Sequence, residues 1–152
     1  MTVLVTGTAG FIGFHVASKL LESGVRVVGL DNLNEYYDPV LKIKRNNLLK
    51  KNNGYIFYKV DISNNKKVEE IFRKEKPDAV IHLAAQAGVR YSLVDPWAYA
   101  RSNYYGTLSI FEASRKNGIK RVLYASSSSV YGSNKKSPFS EPHRVDTPLS
   151  LY

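Results

Sequence analysis

TVLVTGTAGFIG, residues 2–13, followed by RVVGLD, residues 26–31, is the stretch whose reading decides the fold. Thr2 to Thr6 make a short β-branched run that breaks at Gly7, and apolar residues then recur at Ile12, Val16, Leu20 and Leu21 with helical spacing. Gly24 closes that helix, and residues 26–30 read as a second strand ending at Asp31. Strand, glycine turn, helix and strand form a βαβ unit of about thirty residues, the size of a right-handed crossover between parallel strands. Glycines at positions 7, 10 and 13 permit a tight turn and a close backbone approach to a diphosphate at the helix N-terminus. Three glycines at this spacing would alone describe only a turn packed on a helix; their place between strand and helix carries the chemical reading. Asp31 adds a carboxylate at the tip of the second strand, placed to accept hydrogen bonds from a ribose diol. It would repel a 2′-phosphate, and Asn32 rather than an arginine follows it, so NAD is favoured over NADP.

Working outward, residues 32–53 form an Asn-, Tyr- and Lys-rich insertion with a short helix expected over 40–50. Residues 55–60 read as a third strand, 64–75 as a helix with Val68, Ile71 and Phe72 on one face, and 79–83 as a fourth strand. A longer helix over about 95–117 places Trp97, Ala100, Tyr104, Leu108 and Phe111 on one stripe, with Gly118 as its cap. A fifth strand is expected over 121–126, and residues 127–152, rich in Ser and Pro, read as loop. Strands alternating with helices predict an α/β fold: a parallel sheet covered on both faces, binding ligands beyond the carboxyl ends of its strands.

Bulk properties narrow the function classes. The absence of cysteine excludes a disulfide framework and thiolate metal sites, and it suits a cytoplasmic setting. The N-terminus does not resemble a signal peptide, and no apolar stretch is long enough to span a bilayer, so no membrane partner is expected. The net charge of +9 is concentrated where Lys42, Lys44, Arg45, Lys50, Lys51, Lys59, Lys66 and Lys67 face only Asp61. A solvated basic surface explains this better than a nucleic-acid patch, which would interleave aromatic side chains with the charges. His15, His82 and His143 are scattered, so no metal site and no hydrolytic triad is expected.

The GxxGxxG spacing, together with Asp31-Asn32, Asp61-Ile62, HLAAQAGVR at 82–90, Ser102-Asn103, SSSSVYG at 126–132 and Leu151-Tyr152, resembles the extended short-chain dehydrogenase/reductase family. This is the family of NAD-dependent epimerases and dehydratases, and the likeness covers essentially the whole chain. DNLNEYYD at 31–38 and QAGVRYS at 86–92 are most similar to the UDP-glucuronate 4-epimerases within it. The resemblance implies a Rossmann-type doubly wound parallel sheet, truncated after about five strands, with residues 1–152 forming an incomplete NAD-binding domain. Position by position, it puts Gly7, Gly10, Phe11, Ile12 and Gly13 at the cofactor phosphates and Asp31 and Asn32 at the adenine ribose. Asp61 and Ile62 would edge the adenine; Leu83, Ala84, Ala85 and Gln86 would line the nicotinamide side; Asn103 would lie beneath the active site. Plainer readings exist for single members, since Asp61 could cap the next helix and Asn103 could be a surface residue.

The catalytic pair implied by the resemblance is Ser127 and Tyr152. Tyr152 as a tyrosinate would take the proton of the sugar C4 hydroxyl while hydride passes to NAD, and return of hydride to the other face would invert C4. In the related 4,6-dehydratases the two residues after the catalytic Ser or Thr are acidic, whereas here they are Ser128 and Ser129, which points to epimerisation. Arg90, Ser128 and Ser129 are candidates, on position alone, for holding a glucuronate carboxylate. A free tyrosine has a pKa of about 10 and is almost wholly protonated at pH 7, and the family promotes its ionisation with a lysine four residues later. The sequence stops at Tyr152, so the expectation for these 152 residues is little or no turnover and an exposed fifth-strand edge. The expected partner is a UDP-sugar, and full-length relatives are expected to be homodimers. The alternatives are a UDP-glucose/galactose 4-epimerase and a noncatalytic NAD-binding module.

Overall fold

A computed structural model describes all 152 residues. Its elements run β1 (Thr2–Thr6), α1 (Phe11–Glu22), β2 (Arg26–Asp31), α2 (Pro39–Leu49), β3 (Tyr55–Lys59), α3 (Asn65–Glu75), β4 (Ala79–His82), α4 (Pro96–Tyr99), α5 (Thr107–Lys116) and β5 (Val122–Tyr124). The five strands form one parallel sheet in the order β3-β2-β1-β4-β5. The chain winds outward in both directions from β1, so the strand order reverses between β1 and β4. The crevice at that reversal, beyond the strands' carboxyl ends, is where such sheets bind ligands.

Alternation along buried strands builds two cores. On one face Leu4, Val28, Leu30 and Val80 pack with Val68, Ile71 and Phe72 of α3 and Ile110 and Ala113 of α5. On the other, Val3, Val5 and Val27 pack with Ala17 and Leu21 of α1 and Leu49 of α2. The central strands are thus buried on both sides, which is why they read as continuous apolar runs. Gly24 at φ 74° and Gly118 at φ 68° stop α1 and α5 in the left-handed conformation expected of terminating glycines.

Three expectations need correction. The helix expected over 95–117 is a composite of α4, a π-helical turn at Ala100–Gly106 and α5. Its buried face carries Tyr99, Gly106, Ile110 and Ala113, while Trp97, Tyr104, Leu108 and Phe111 of the expected stripe lie exposed. Small residues win that face because the helix passes so close to Ile62 that a Cβ at Gly106 would come within 2.5 Å of its side chain. The basic surface of the insertion also loses a member. Lys42 is buried, because α2 turns its Lys42–Asn46–Leu49 side inward and leaves Leu41, Ile43 and Leu48 to solvent. Lastly, β3, β4 and β5 are shorter than expected at their carboxyl ends, where the backbone leaves the sheet to wall the crevice.

Candidate functional site

The turn between β1 and α1 is built on contacts that only glycine allows. Gly7 has φ 75°, and a Cβ there would meet the backbone nitrogen of Ala84 at 2.9 Å; one at Gly13 would meet the carbonyl oxygen of Gly7 at 2.0 Å. The loop therefore lies flat against the end of β4 and against the first turn of its own helix. Gly10 precedes that turn without any side-chain cap, and no acidic residue stands in it. The first amides of α1 thus keep their partial positive charge uncancelled, the condition under which a helix N-terminus attracts a phosphate.

Asp31 is tied to this loop. Ala9 donates its amide to Oδ2 at 3.1 Å and Leu33 donates to Oδ1 at 2.8 Å. A carboxylate has about four acceptor positions, so two remain for a diol. Asn32 donates from Nδ2 to Oδ2 of Asp61 at 3.2 Å, while the other oxygen of Asp61 accepts the amide and hydroxyl of Ser63. Burial alone would raise the Asp61 carboxyl, but the Ser63 and Asn32 hydrogen bonds and the nearby Arg101 hold it below its ordinary value. The cap of α3 is Asn64, not Asp61.

These groups line one open cleft of about 160 Å³. Of the residues expected around the cofactor, Gly7, Gly10, Asp31, Asn32, Asp61, Ile62, Leu83, Ala84, Ala85 and Gln86 face it. Phe11 and Ile12 are exposed at the start of α1, and Gly13 is buried beneath the loop. Asn103 stands behind the cleft, taking the Gln86 amide at 2.8 Å and donating to the Gln86 carbonyl at 3.0 Å. That grip fixes the backbone after β4 and presents the Gln86 side chain, whose buried Nε2 has no hydrogen-bond partner.

Leu83, Ala84 and Ala85 also line a second cavity, which holds Asn103, Ser127 and Tyr152. The cleft and the cavity of the expected catalytic pair therefore share one wall. Ser127 opens a 3-10 turn, Ser128–Tyr131, and its Oγ accepts the Ser129 amide at 3.2 Å. The Tyr152 ring stands edge-on to buried Tyr99 at 5.9 Å. Tyr99 is anchored by its hydroxyl, which donates to the carbonyls of Ala87 at 2.9 Å and of Gly88. Arg90, Ser128 and Ser129 line neither cavity.

Two features were not read from the sequence. Lys42 reaches into the cleft from α2 and donates to both oxygens of Asn34. Burial pushes its ammonium below the usual lysine value, Asp31 opposes this and Arg45 adds to it. Second, Thr6 Oγ1 accepts the amides of Leu83 at 3.0 Å and Ala84 at 2.9 Å, leaving its own proton for Nδ1 of His82 at 2.7 Å. His82 then carries its proton on Nε2 and donates to Thr107 at 3.0 Å. Burial lowers its pKa to about 4, so this neutral tautomer persists at pH 7.

An uncapped glycine turn, a carboxylate at the next strand tip and a cleft that shares a wall with the cavity of a Ser/Tyr pair fit a dinucleotide and a polyol. The sequence profile described as GDP-mannose 4,6 dehydratase matches residues 4–152. The chain belongs to this family of NAD-dependent epimerases and dehydratases. Among its family relatives, it is 50% identical to the UDP-glucuronate 4-epimerase of Thermodesulfobacterium geofontis, over 98% of the chain and 46% of that enzyme. The crystal structure of UDP-glucuronic acid 4-epimerase from Bacillus cereus, in complex with UDP-glucuronic acid and NAD, superposes with TM-score 0.90 at 36% identity. That match covers 100% of the chain and 48% of the Bacillus protein. UDP-glucose 4-epimerase from Thermotoga maritima, solved with UDP-glucose, gives TM-score 0.87 at 38% identity over 100% of the chain and 46% of its own. The chain thus spans about half the length of the family members it matches.

Proposed function

We propose that these residues form the NAD-binding and proton-transferring part of a UDP-glucuronate 4-epimerase. The observation that carries this reading is that Leu83, Ala84 and Ala85 wall both the cleft of the uncapped Gly10 turn and Asp31 and the cavity of Ser127 and Tyr152. Diphosphate oxygens would sit against the first amides of α1, and Asp31 would accept the adenosine ribose hydroxyls. Gln86, with its unpaired Nε2, would donate to the cofactor on the nicotinamide side. Bound there, NAD would supply reversible hydride acceptance from the sugar C4. Tyr152 would remove the C4 hydroxyl proton and return it, with Ser127 sharing that proton through its hydroxyl. Ser128 and Ser129 bring no carboxylate to this pair, which favours epimerisation over the elimination named by the family profile.

Isothermal titration with NAD tests the cofactor site: measurable binding is expected, lost in Asp31→Arg. Salt-sensitive DNA affinity in its place would sink the reading. Epimerisation is tested by following UDP-glucuronate conversion to UDP-galacturonate. A second reading, UDP-glucose 4-epimerase, is supported by the Thermotoga maritima superposition and would show as preferential turnover of UDP-glucose.

A further inference from the structure

A second concavity, of about 630 Å³, lies at the end of the sheet opposite the cleft, where the amino ends of β4 and β5 meet the carboxyl ends of α3 and α5. Arg73 and Lys76 line it from the α3–β4 side, Lys120 and Arg121 from the α5–β5 side. All four are exposed and none forms an ion pair. The acids of the neighbouring helices are engaged by other cations: Glu75 by Arg26, Glu69 by Lys116 and Glu112 by Arg115. Asp78 is the one acid of the concavity, and its Oδ2 accepts the Thr2 amide at 2.7 Å. Basic residues near a helix carboxyl end ordinarily answer its partial negative charge. Here the last turns already carry Lys74 on α3 and Arg115 and Lys116 on α5, so Lys76, Lys120 and Arg121, which lie beyond them, are surplus to that role.

Lys76 supplies a second, independent observation. Three helices of this fold end in a left-handed residue, α1 at Gly24, α5 at Gly118 and α3 at Lys76, whose φ is 45° and ψ 60°. Glycine takes this conformation freely, whereas a side chain there strains the backbone. The strained residue is also one that turns a cation into the concavity, and strain held at one place is a mark of function there.

We propose that this concavity binds a free chain of two or three linked phosphates. Four cations against one acid suit an anion of several charges, and their division between two connections suits a ligand that bridges them. No aromatic side chain lines the concavity, so nothing there would stack a base, and its pocket shape suits a small anion better than a nucleic-acid backbone. The site is separate from the cofactor cleft, with the length of the strands, roughly 15 Å, between them.

The experiment is titration of sodium triphosphate into the 152-residue chain at about 0.15 M salt, followed by calorimetry and by backbone amide shifts. One equivalent is expected to bind, with shifts gathered at residues 73–78 and 117–121, and with orthophosphate weaker by at least about tenfold. Lys76→Gly should weaken triphosphate by about tenfold while its thermal midpoint stays level or rises, since glycine relieves the strain. Lys120→Gln/Arg121→Gln should weaken it at least as much, with circular dichroism verifying the fold of both variants. Absence of triphosphate binding, or unchanged affinity in both variants, overturns the proposal. Shifts confined to residues 7–13 would put the anion at the glycine turn and overturn it equally. Duplex DNA binding more tightly than triphosphate would make this a nucleic-acid surface instead, and the proposal would fall.

Discussion

Ala9 donates its backbone amide to the Asp31 carboxylate at 3.1 Å, joining the glycine turn of one strand to the tip of the next. The same carboxylate takes the Leu33 amide, which helps hold Leu33 at φ 53° and directs the insertion back toward the cleft. One side chain thus shapes both walls at this end of the cleft before any ligand arrives. An acid that only read the ribose would leave the loop unchanged when removed; this one would not.

Asp31→Ala should therefore damage structure and binding together. Leaving two amides without their charged acceptor should cost about 1–3 kcal/mol of stability, seen as a lower urea midpoint. NAD affinity should fall by at least about tenfold in the same variant. Normal stability with lost binding would mean that the Ala9 and Leu33 contacts contribute nothing to the fold.

The glycines separate by what surrounds them. Gly13→Ala would drive a methyl group to 2.0 Å from the Gly7 carbonyl, and the turn cannot yield without leaving β4. Loss of more than about 4 kcal/mol, or failure to fold, is expected. Gly24→Ala meets nothing within 4 Å and carries only the strain of its positive φ, about 1–2 kcal/mol. Equal melting temperatures for the two variants would refute the close packing at Gly13.

His82 gives the fold an acid-sensitive step. Its pKa is about 4 when folded, through burial, against an ordinary 6.5, so the unfolded chain binds the extra proton between these values. Its contribution is complete above pH 6.5 and is lost as pH falls toward 4, by up to about 3 kcal/mol. Urea midpoints measured from pH 7 to 4.5 should fall less steeply in His82→Asn than in wild type. Identical slopes would show that His82 is not held neutral between Thr6 and Thr107.

The βαβ unit was legible because its signals are local: β-branched runs, helical periodicity and terminating glycines at 24 and 118 act within a few residues. Asp31 was legible for a related reason, since a strand tip after such a unit has one place to go. Lys42 was not, because its burial depends on which side of α2 meets the Gly10 turn, a tertiary choice that turns apolar Leu41 and Ile43 outward. Thr6, His82 and Thr107 were hidden for the same cause: they lie on three elements brought together by the pairing of β1 with β4. The stripe through Trp97 and Tyr104 misled because periodicity reports that a face is apolar, not which surface it meets. The expected cofactor residues that the structure gathers at one cleft stand at the strand ends and the glycine turn, while Arg90, Ser128 and Ser129, chosen by position alone, do not line it.

Asn103 offers a test of how the wall after β4 is held. Its side chain accepts the Gln86 amide and donates to the Gln86 carbonyl, a two-way grip that only a carboxamide can make at this site. Asn103→Asp keeps the acceptor but sets a carboxylate against the Gln86 carbonyl; Asn103→Leu fills the space and satisfies neither group. Leu should cost about 1–3 kcal/mol and Asp somewhat less, with NAD affinity falling in the same order. Amide hydrogen exchange should accelerate at residues 84–88 in both variants while the β1 and β2 amides keep their protection. Exchange that rises equally across the whole sheet would mean that Asn103 supports the fold in general rather than this wall, and its place behind the cleft would then have no bearing on cofactor binding.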